Sequence, residues 1–419
     1  MNIYTPLGYF FVLASVLLFM KLPVFAATDT KWHASTSRTI TIDGLRGYLA
    51  VGVFIHHAVI YYRYLTQGIW DNPPSSFYTQ LGPIDVSLFF MITGYLFWGK
   101  IVSSQGRPGW IKLFIGRAFR IGPVYFLMTG LMLLIIFSKT SFVLQEPFEK
   151  VLFEIAPLLL FGIFEPGHVI NGFSGPRGIT AAVTWTLRYE WVFYLIILPI
   201  SAIFARNRKH HLIYAVTVLL VCLASSLLKN GSSNSLLLAA FFIGMVCASL
   251  QAHDCMIAAS DRSMSIVATI ALWLVFFEPI PTHKTVQTIL TGVVFYSVVN
   301  GCSLFGLLTN KSAQRLGEIS YGIYLLQGIV LFAFAQAPEI RALTTASSMY
   351  YWFFLLIEAF TLIILAFIAY CFLEKPCIAT GKKIVSKNLT PKTTDLFNDK
   401  ETRTTESTPM QPMRKSADW

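Results

Sequence analysis

The sequence predicts an all-α protein, a polytopic membrane helix bundle with ten core transmembrane helices plus one extra N-terminal helix. Three observations predict it. Apolar runs of about 17–25 residues, the length that crosses a bilayer as a helix, recur along the chain between short polar connections. The composition is 55% hydrophobic and only 13% charged, about half the charged share of a soluble domain. No alternating apolar and polar pattern of a membrane β-barrel is present.

The elements follow in order. Residues 7–27 form an apolar stretch that runs into "PVFAATD", where Val24-Phe25-Ala26 resembles a small-residue cleavage site. No Lys or Arg precedes the stretch, whereas Lys21, Lys31 and Arg38 follow it. The expectation is an uncleaved helix with its N-terminus outside, joined to a cytoplasmic linker, over residues 1–40. Core spans are expected near 43–65, 83–100, 120–138, 185–204, 212–228, 235–251, 263–280, 285–306, 316–336 and 349–373, within a membrane domain of residues 41–378. Alternating crossings gather Lys100, Arg107, Lys112, Arg117 and Arg120, then Arg206, Arg208 and Lys209, on one side. That side is the cytoplasm by the positive-inside rule. The net charge of +11 is thereby read as topology, not as nucleic-acid binding. The run over residues 150–165 is short and contains Glu154 and Pro157. It predicts a re-entrant or interfacial helix on the outer side. Residues 379–419 turn polar and lose periodicity, which predicts a disordered cytoplasmic tail.

The six cysteines are scattered and form no CxxC pair, so neither a disulfide framework nor a metal site is expected. A P-loop, a GxSxG elbow and an HExxH pair are absent, which speaks against ATP hydrolysis and serine-hydrolase chemistry.

Ionisable groups inside spans are costly and mark function. Arg46 and His57 lie eleven residues apart in "DGLRGYLAVGVFIHHAVIYY". On a helix they share a face, about 16 Å apart along the axis. One is a permanent cation and the other a proton carrier. Asp43, one turn earlier, is placed to orient the guanidinium, and His56 points about 100° away from His57. Arg117 and Arg120, at i,i+3 in "RAFRIGPVY", are placed to clamp phosphates; snorkelling cations of ordinary topology are the structural alternative. Pro123 is expected to set how the chain enters that span. Glu190 lies one turn into "TWTLRYEWVFYLIILP", with Arg188 about 200° around the helix, and is expected to orient an imidazole or to serve as a structural ion-pair partner. Ser320, Tyr321, Tyr324 and Gln327 begin another span, where interhelical hydrogen bonding is the plain alternative.

The ordered motifs "DGLRG…HH", "LFFMITGYLF", "RAFRIGPVY", "WTLRYEWVFYLIILP", "LGEISYGIYLLQ" and "FLEKP" resemble those of the acyltransferase family 3 membrane proteins, over about residues 41–378. These are bacterial O-acyltransferases of cell-surface glycans. The family's Arg-x10-His pattern falls on Arg46 and His57, its Arg-x-x-Arg on Arg117 and Arg120, and its Glu-x-x-Phe-Tyr on Glu190, Phe193 and Tyr194. The sequence departs from it at Gln327, where many members have His, and at Ser87, where many have an acidic residue. The larger members' C-terminal esterase-like domain has no counterpart in the polar tail.

The resemblance implies transfer of an acyl group, acetyl above all, from cytoplasmic acyl-CoA to a hydroxyl of a surface polysaccharide or lipid-linked glycan, such as lipopolysaccharide O-antigen, at the bacterial inner membrane. No permanently bound cofactor is implied. The expected catalytic residues are His57, Arg46 and Glu190. Arg117, Arg120, Asp43, Tyr321 and Tyr324 are expected to bind the donor. The competing expectation is a transporter or flippase for an anionic lipid-linked sugar, which intramembrane Arg and His would serve equally well.

Overall fold

The computed structural model describes residues 3–29, 37–207, 210–228, 233–277 and 284–389. Part of the expected linker (residues 30–36), Arg208 and Lys209, the end of the span expected to reach residue 280, and the tail from residue 390 lie outside the described residues. The helices are α1 (Leu7–Phe19), α2 (Ser37–Gln67), α3 (Ser76–Ser103), α4 (Trp110–Lys139), α5 (Phe148–Ile155), α6 (Pro176–Ile179), α7 (Trp185–Val192), α8 (Leu198–Ala202), α9 (His210–Leu228), α10 (Ser233–Ala252), α11 (Asp261–Phe277), α12 (Lys284–Val299), α13 (Lys311–Ala335), α14 (Pro338–Ala346), α15 (Ser348–Ala369) and α16 (Lys375–Leu389).

Among the described residues, six helices are long and apolar enough to cross a membrane: α3, α4, α9, α10, α13 and the continuous α15–α16 rod. The other expected spans have local reasons for falling short of that measure. In α2, 31 residues long, Arg46, His56 and His57 dilute the hydropathy. Helices α11 and α12 have 17 and 16 described residues, and both border residues 278–283, which lie outside the described ones. Between α7 and α8 the backbone takes a π-helical turn, Phe193–Ile197. Pro199 offers no N–H to the ladder, and its ring crowds the carbonyl four residues back, so the chain widens there. The same happens at Tyr370–Glu374, just before Pro376.

Several expectations are corrected. The N-terminal helix does not run over residues 7–27. It stops at Phe19, and Leu22 is extended (ψ 141°) ahead of Pro23, which opens a 3-10 turn, Pro23–Thr28. At 13 residues, α1 rises about 20 Å, short of a bilayer core of about 30 Å. Pro123 does not start its helix; α4 begins at Trp110 and carries Pro123 inside. The all-α description misses a small hairpin in which Val169–Ile170 pairs antiparallel with Phe173–Ser174. Its turn is Asn171-Gly172, both with positive φ (49° and 75°), the chemistry a two-residue hairpin loop requires. Within the 150–165 run, α5 has eight residues, too few to cross. Its Glu154 accepts a hydrogen bond from the Asn171 backbone N–H (2.9 Å). The chain also stays helical through Leu389, past residue 379 where the tail was expected to begin.

The centre of the bundle is α2, packed between α13 and α3, with α10 behind α3 and α15 behind α13. Small residues set the close approach. A Cβ on Gly44 would collide with the Leu308 carbonyl, one on Gly47 with the Ala313 carbonyl, and one on Gly317 with the Asp43 carbonyl. The two glycines of "DGLRG" thus let α2 lie against α13 and bring Arg46 within reach of it. Helix α1 is fastened to this core. The Phe19 ring stacks on Phe360 at 4.4 Å. The buried Arg315 guanidinium forks onto Asp29, Nε to Oδ1 at 2.7 Å and Nη2 to Oδ2 at 2.8 Å, while Nη1 donates to the Met20 carbonyl at 2.6 Å.

Candidate active site

Two chambers open along α2. The first is lined by Arg46 from α2, Arg117 and Arg120 from α4, Glu190 from α7, and Ser320, Tyr321 and Tyr324 from α13. Four motifs far apart in sequence therefore meet in one space. Arg46 donates through Nη2 to the Ser320 hydroxyl (3.1 Å) and faces Asp43 at 3.5 Å through Nη1. Asp43 braces the guanidinium from outside the chamber. The Arg117 guanidinium lies 4.1 Å from the Phe97 ring centroid and 5.5 Å from that of Tyr194. A cation held over ring faces keeps its N–H edges free for another acceptor. Lys100 adds charge beside the same Phe97 ring, at 5.5 Å. Arg188 is exposed and takes no part.

Glu190 accepts a hydrogen bond from the Tyr194 hydroxyl at 2.9 Å. Among the described residues the expected orienting contact from Glu190 to an imidazole is not made: the carboxylate lies with Arg117, Arg120 and Arg46 instead. The Tyr321 hydroxyl donates to the Ile121 carbonyl (3.0 Å), and Tyr324 exchanges a hydrogen bond with Thr186 (2.9 Å) and donates to the Val183 carbonyl (3.2 Å). These bonds pin both rings in the wall. Ser320, named in the sequence without a site role, and Glu374, which sequence reasoning passed over, belong here. Ser320 receives Arg46, and the buried Glu374 of "FLEKP" lies within electrostatic range of Arg120 and Arg46.

The second and larger chamber contains His56 and His57. The Nδ1 atom of His57 lies 3.0 Å from the Val53 carbonyl. A carbonyl only accepts, so Nδ1 carries the proton and Nε2 keeps its lone pair. Gln327 of α13 lies beside the same ring. His56 does not face away from this space: its ring packs edge-on against His57 at 5.2 Å, with Nδ1 held 2.7 Å from the Tyr78 carbonyl. The rest of the lining mixes apolar side chains, among them Ile84, Leu236 and Leu237, with the polar and aromatic Asn72, Gln80, Trp185, Tyr189 and Asn234, and with Lys284, Gln287, Thr288 and Thr291 from α12. That last set repeats at i, i+3, i+4 and i+7, a polar stripe on an apolar helix that the sequence could have disclosed. Amides, hydroxyls and flat rings of this kind suit a hydroxylated ligand. Among the described residues no group of three or more His, Cys, Asp or Glu is placed to hold a metal ion.

A comparison with protein families matches the acyltransferase domain family over residues 39–373, which takes in both chambers. The chain belongs to the acyltransferase domain family. It is therefore an O-acyltransferase in a multi-pass membrane setting, and the transporter alternative gives way to an enzyme. The chain is also similar to the exopolysaccharide production protein ExoZ of Rhizobium meliloti (strain 1021), at 25% identity over 320 residues, 72% of this chain and 91% of that protein. No solved structure matches this acyltransferase.

Proposed function

We propose that this acyltransferase moves an acetyl group from cytoplasmic acetyl-CoA to a hydroxyl of an exopolysaccharide or related surface glycan at the bacterial inner membrane. The observation that carries the reading is the juxtaposition of an arginine-lined chamber with a second chamber of mixed lining that holds a base-competent imidazole. Arg117 and Arg120 bind the donor's phosphates as charge-assisted forks. Arg46, held by Ser320 and Asp43, holds the donor near the inner boundary of the membrane. The pantetheine arm carries the acyl group towards His57. Nε2 of His57 takes the proton of the acceptor hydroxyl as its oxygen attacks the thioester carbon. The C–S bond breaks, the coenzyme leaves as thiolate, and the imidazolium returns the proton to sulfur. Glu190 and Glu374 are counter-charges that hold the three guanidinium groups in a shared space. Ten core crossings with the C-terminus in the cytoplasm are part of the proposal, and they place the arginine chamber on the cytoplasmic side.

The similarity to an exopolysaccharide production protein supports the acceptor class, and the lining of the second chamber suits it. Lipopolysaccharide O-antigen is the neighbouring acceptor chemistry. The test supplies membranes containing the protein with radiolabelled acetyl-CoA and follows label into polysaccharide. Labelling that requires the protein is the expected result. Labelled lipid or protein with unlabelled polysaccharide would overturn the acceptor assignment.

A further inference from the structure

Among the described residues, the two chambers have only two lining residues in common, Val86 of α3 and Tyr324 of α13. Both are largely buried, at 7% and 9% exposure. The arginines lie on one side of this partition and His57 on the other. The Tyr324 ring is not free to swing, since its hydroxyl is tied to Thr186 and to the Val183 carbonyl, and Phe89 packs edge-on against it at 6.1 Å. Val86 borders both spaces from α3 as a short, branched side chain with one preferred rotamer in a helix.

We propose that Val86 and Tyr324 form a gate that sets which acyl groups the enzyme transfers. The inference rests on the donor and base assignments above. A donor held by its phosphates in the first chamber can present its thioester to His57 only by sending the acyl group through the partition first. The gate takes no part in bond making; it limits the size of the acyl group that can be seated against the imidazole. Trimming one side of an apolar constriction admits one or more extra methylenes, and each methylene in a fitted pocket discriminates by roughly 10–200-fold.

The experiment uses the full chain in membranes, with surface polysaccharide from a strain lacking the gene as acceptor. Acetyl-, butyryl-, hexanoyl- and octanoyl-CoA serve as donors. The readout is the chain length at which transfer falls off. In Val86→Ala the cut-off should move to a longer acyl group, with the ratio of rates across the original cut-off raised about 10-fold or more. In Val86→Phe transfer of every acyl group should fall while binding of radiolabelled acetyl-CoA persists, a split that a folding defect does not produce. Monodisperse elution in detergent verifies that each variant is folded. An unchanged chain-length profile in Val86→Ala, or full transfer by Val86→Phe, would overturn the gate and leave the acyltransferase reading intact. Failure of the unaltered protein to transfer from any of the four donors would instead overturn the donor reading.

Discussion

Replacing His57 by alanine separates chemistry from stability, because the structure gives the two effects different sizes. The ring borders an open chamber and makes one hydrogen bond to the backbone, from Nδ1 to the Val53 carbonyl, at 3.0 Å. Losing that bond costs about 1 kcal/mol, and the truncation enlarges existing space without opening a new core cavity. A general base contributes about 10²–10⁴-fold, equivalent to about 2.7–5.4 kcal/mol of barrier. His57→Ala should therefore elute as the parent does, melt within a few degrees of it, bind donor with similar affinity, and transfer label at about 1% of the parent rate or below. His57→Gln fills most of the ring's volume without a basic nitrogen and should be equally inactive. The assay is initial-rate transfer from radiolabelled acetyl-CoA to polysaccharide, alongside thermal unfolding in the same detergent. Transfer within about tenfold of the parent by either folded variant would refute the argument that Nε2 is the base.

Other consequences can be measured on the same preparations. Arg117→Lys keeps the charge but loses the planar fork above Phe97; the KM for acetyl-CoA should rise about tenfold or more at unchanged fold, as read by donor titration. His56→Ala removes a buried ring bonded to the Tyr78 carbonyl at 2.7 Å and should lower stability by about 1–3 kcal/mol, seen as a reduced melting temperature. Gly317→Ala drives a methyl into the Asp43 carbonyl and should cost about 1–3 kcal/mol through overpacking, with transfer falling as Arg46 shifts from Ser320. The Arg315 fork holds the Asp29 carboxyl below the ordinary carboxylate range, with Lys311 helping. A carboxylate of depressed pKa contributes stability that is complete above its unfolded pKa and lost as pH falls through the folded value. The melting temperature of the parent should therefore exceed that of Asp29→Asn at neutral pH, and the gap should close below about pH 4. A constant gap down to about pH 3 would exclude the ion pair as its source.

The class of protein and its chemical inventory were legible in the amino-acid order alone. Apolar runs of membrane length require helices, because backbone polar groups in lipid must be satisfied within the chain. Arg46, His57, Arg117, Arg120 and Glu190 are conspicuous because ionisable groups in such runs are expensive. Helical periodicity also put Arg46 and His57 on one face, since that is a property of a single helix. It said less about breaks: Pro23, Pro199 and Pro376 are visible in the sequence, but whether a proline lies beyond a finished helix, as Pro23 does after Phe19, or widens one into a π turn, as at Phe193–Ile197, depends on what packs around it. Three relations emerged solely from the packed bundle: Glu190 joins the arginines and not the imidazole, His56 shares a chamber with His57, and Val86 and Tyr324 stand between the two spaces. The first and third are relations between helices, and the second depends on which helices close around α2. Periodicity fixes the direction of a side chain about its own axis, while its neighbours are set by how closely surfaces such as Gly44, Gly47 and Gly317 allow two axes to approach.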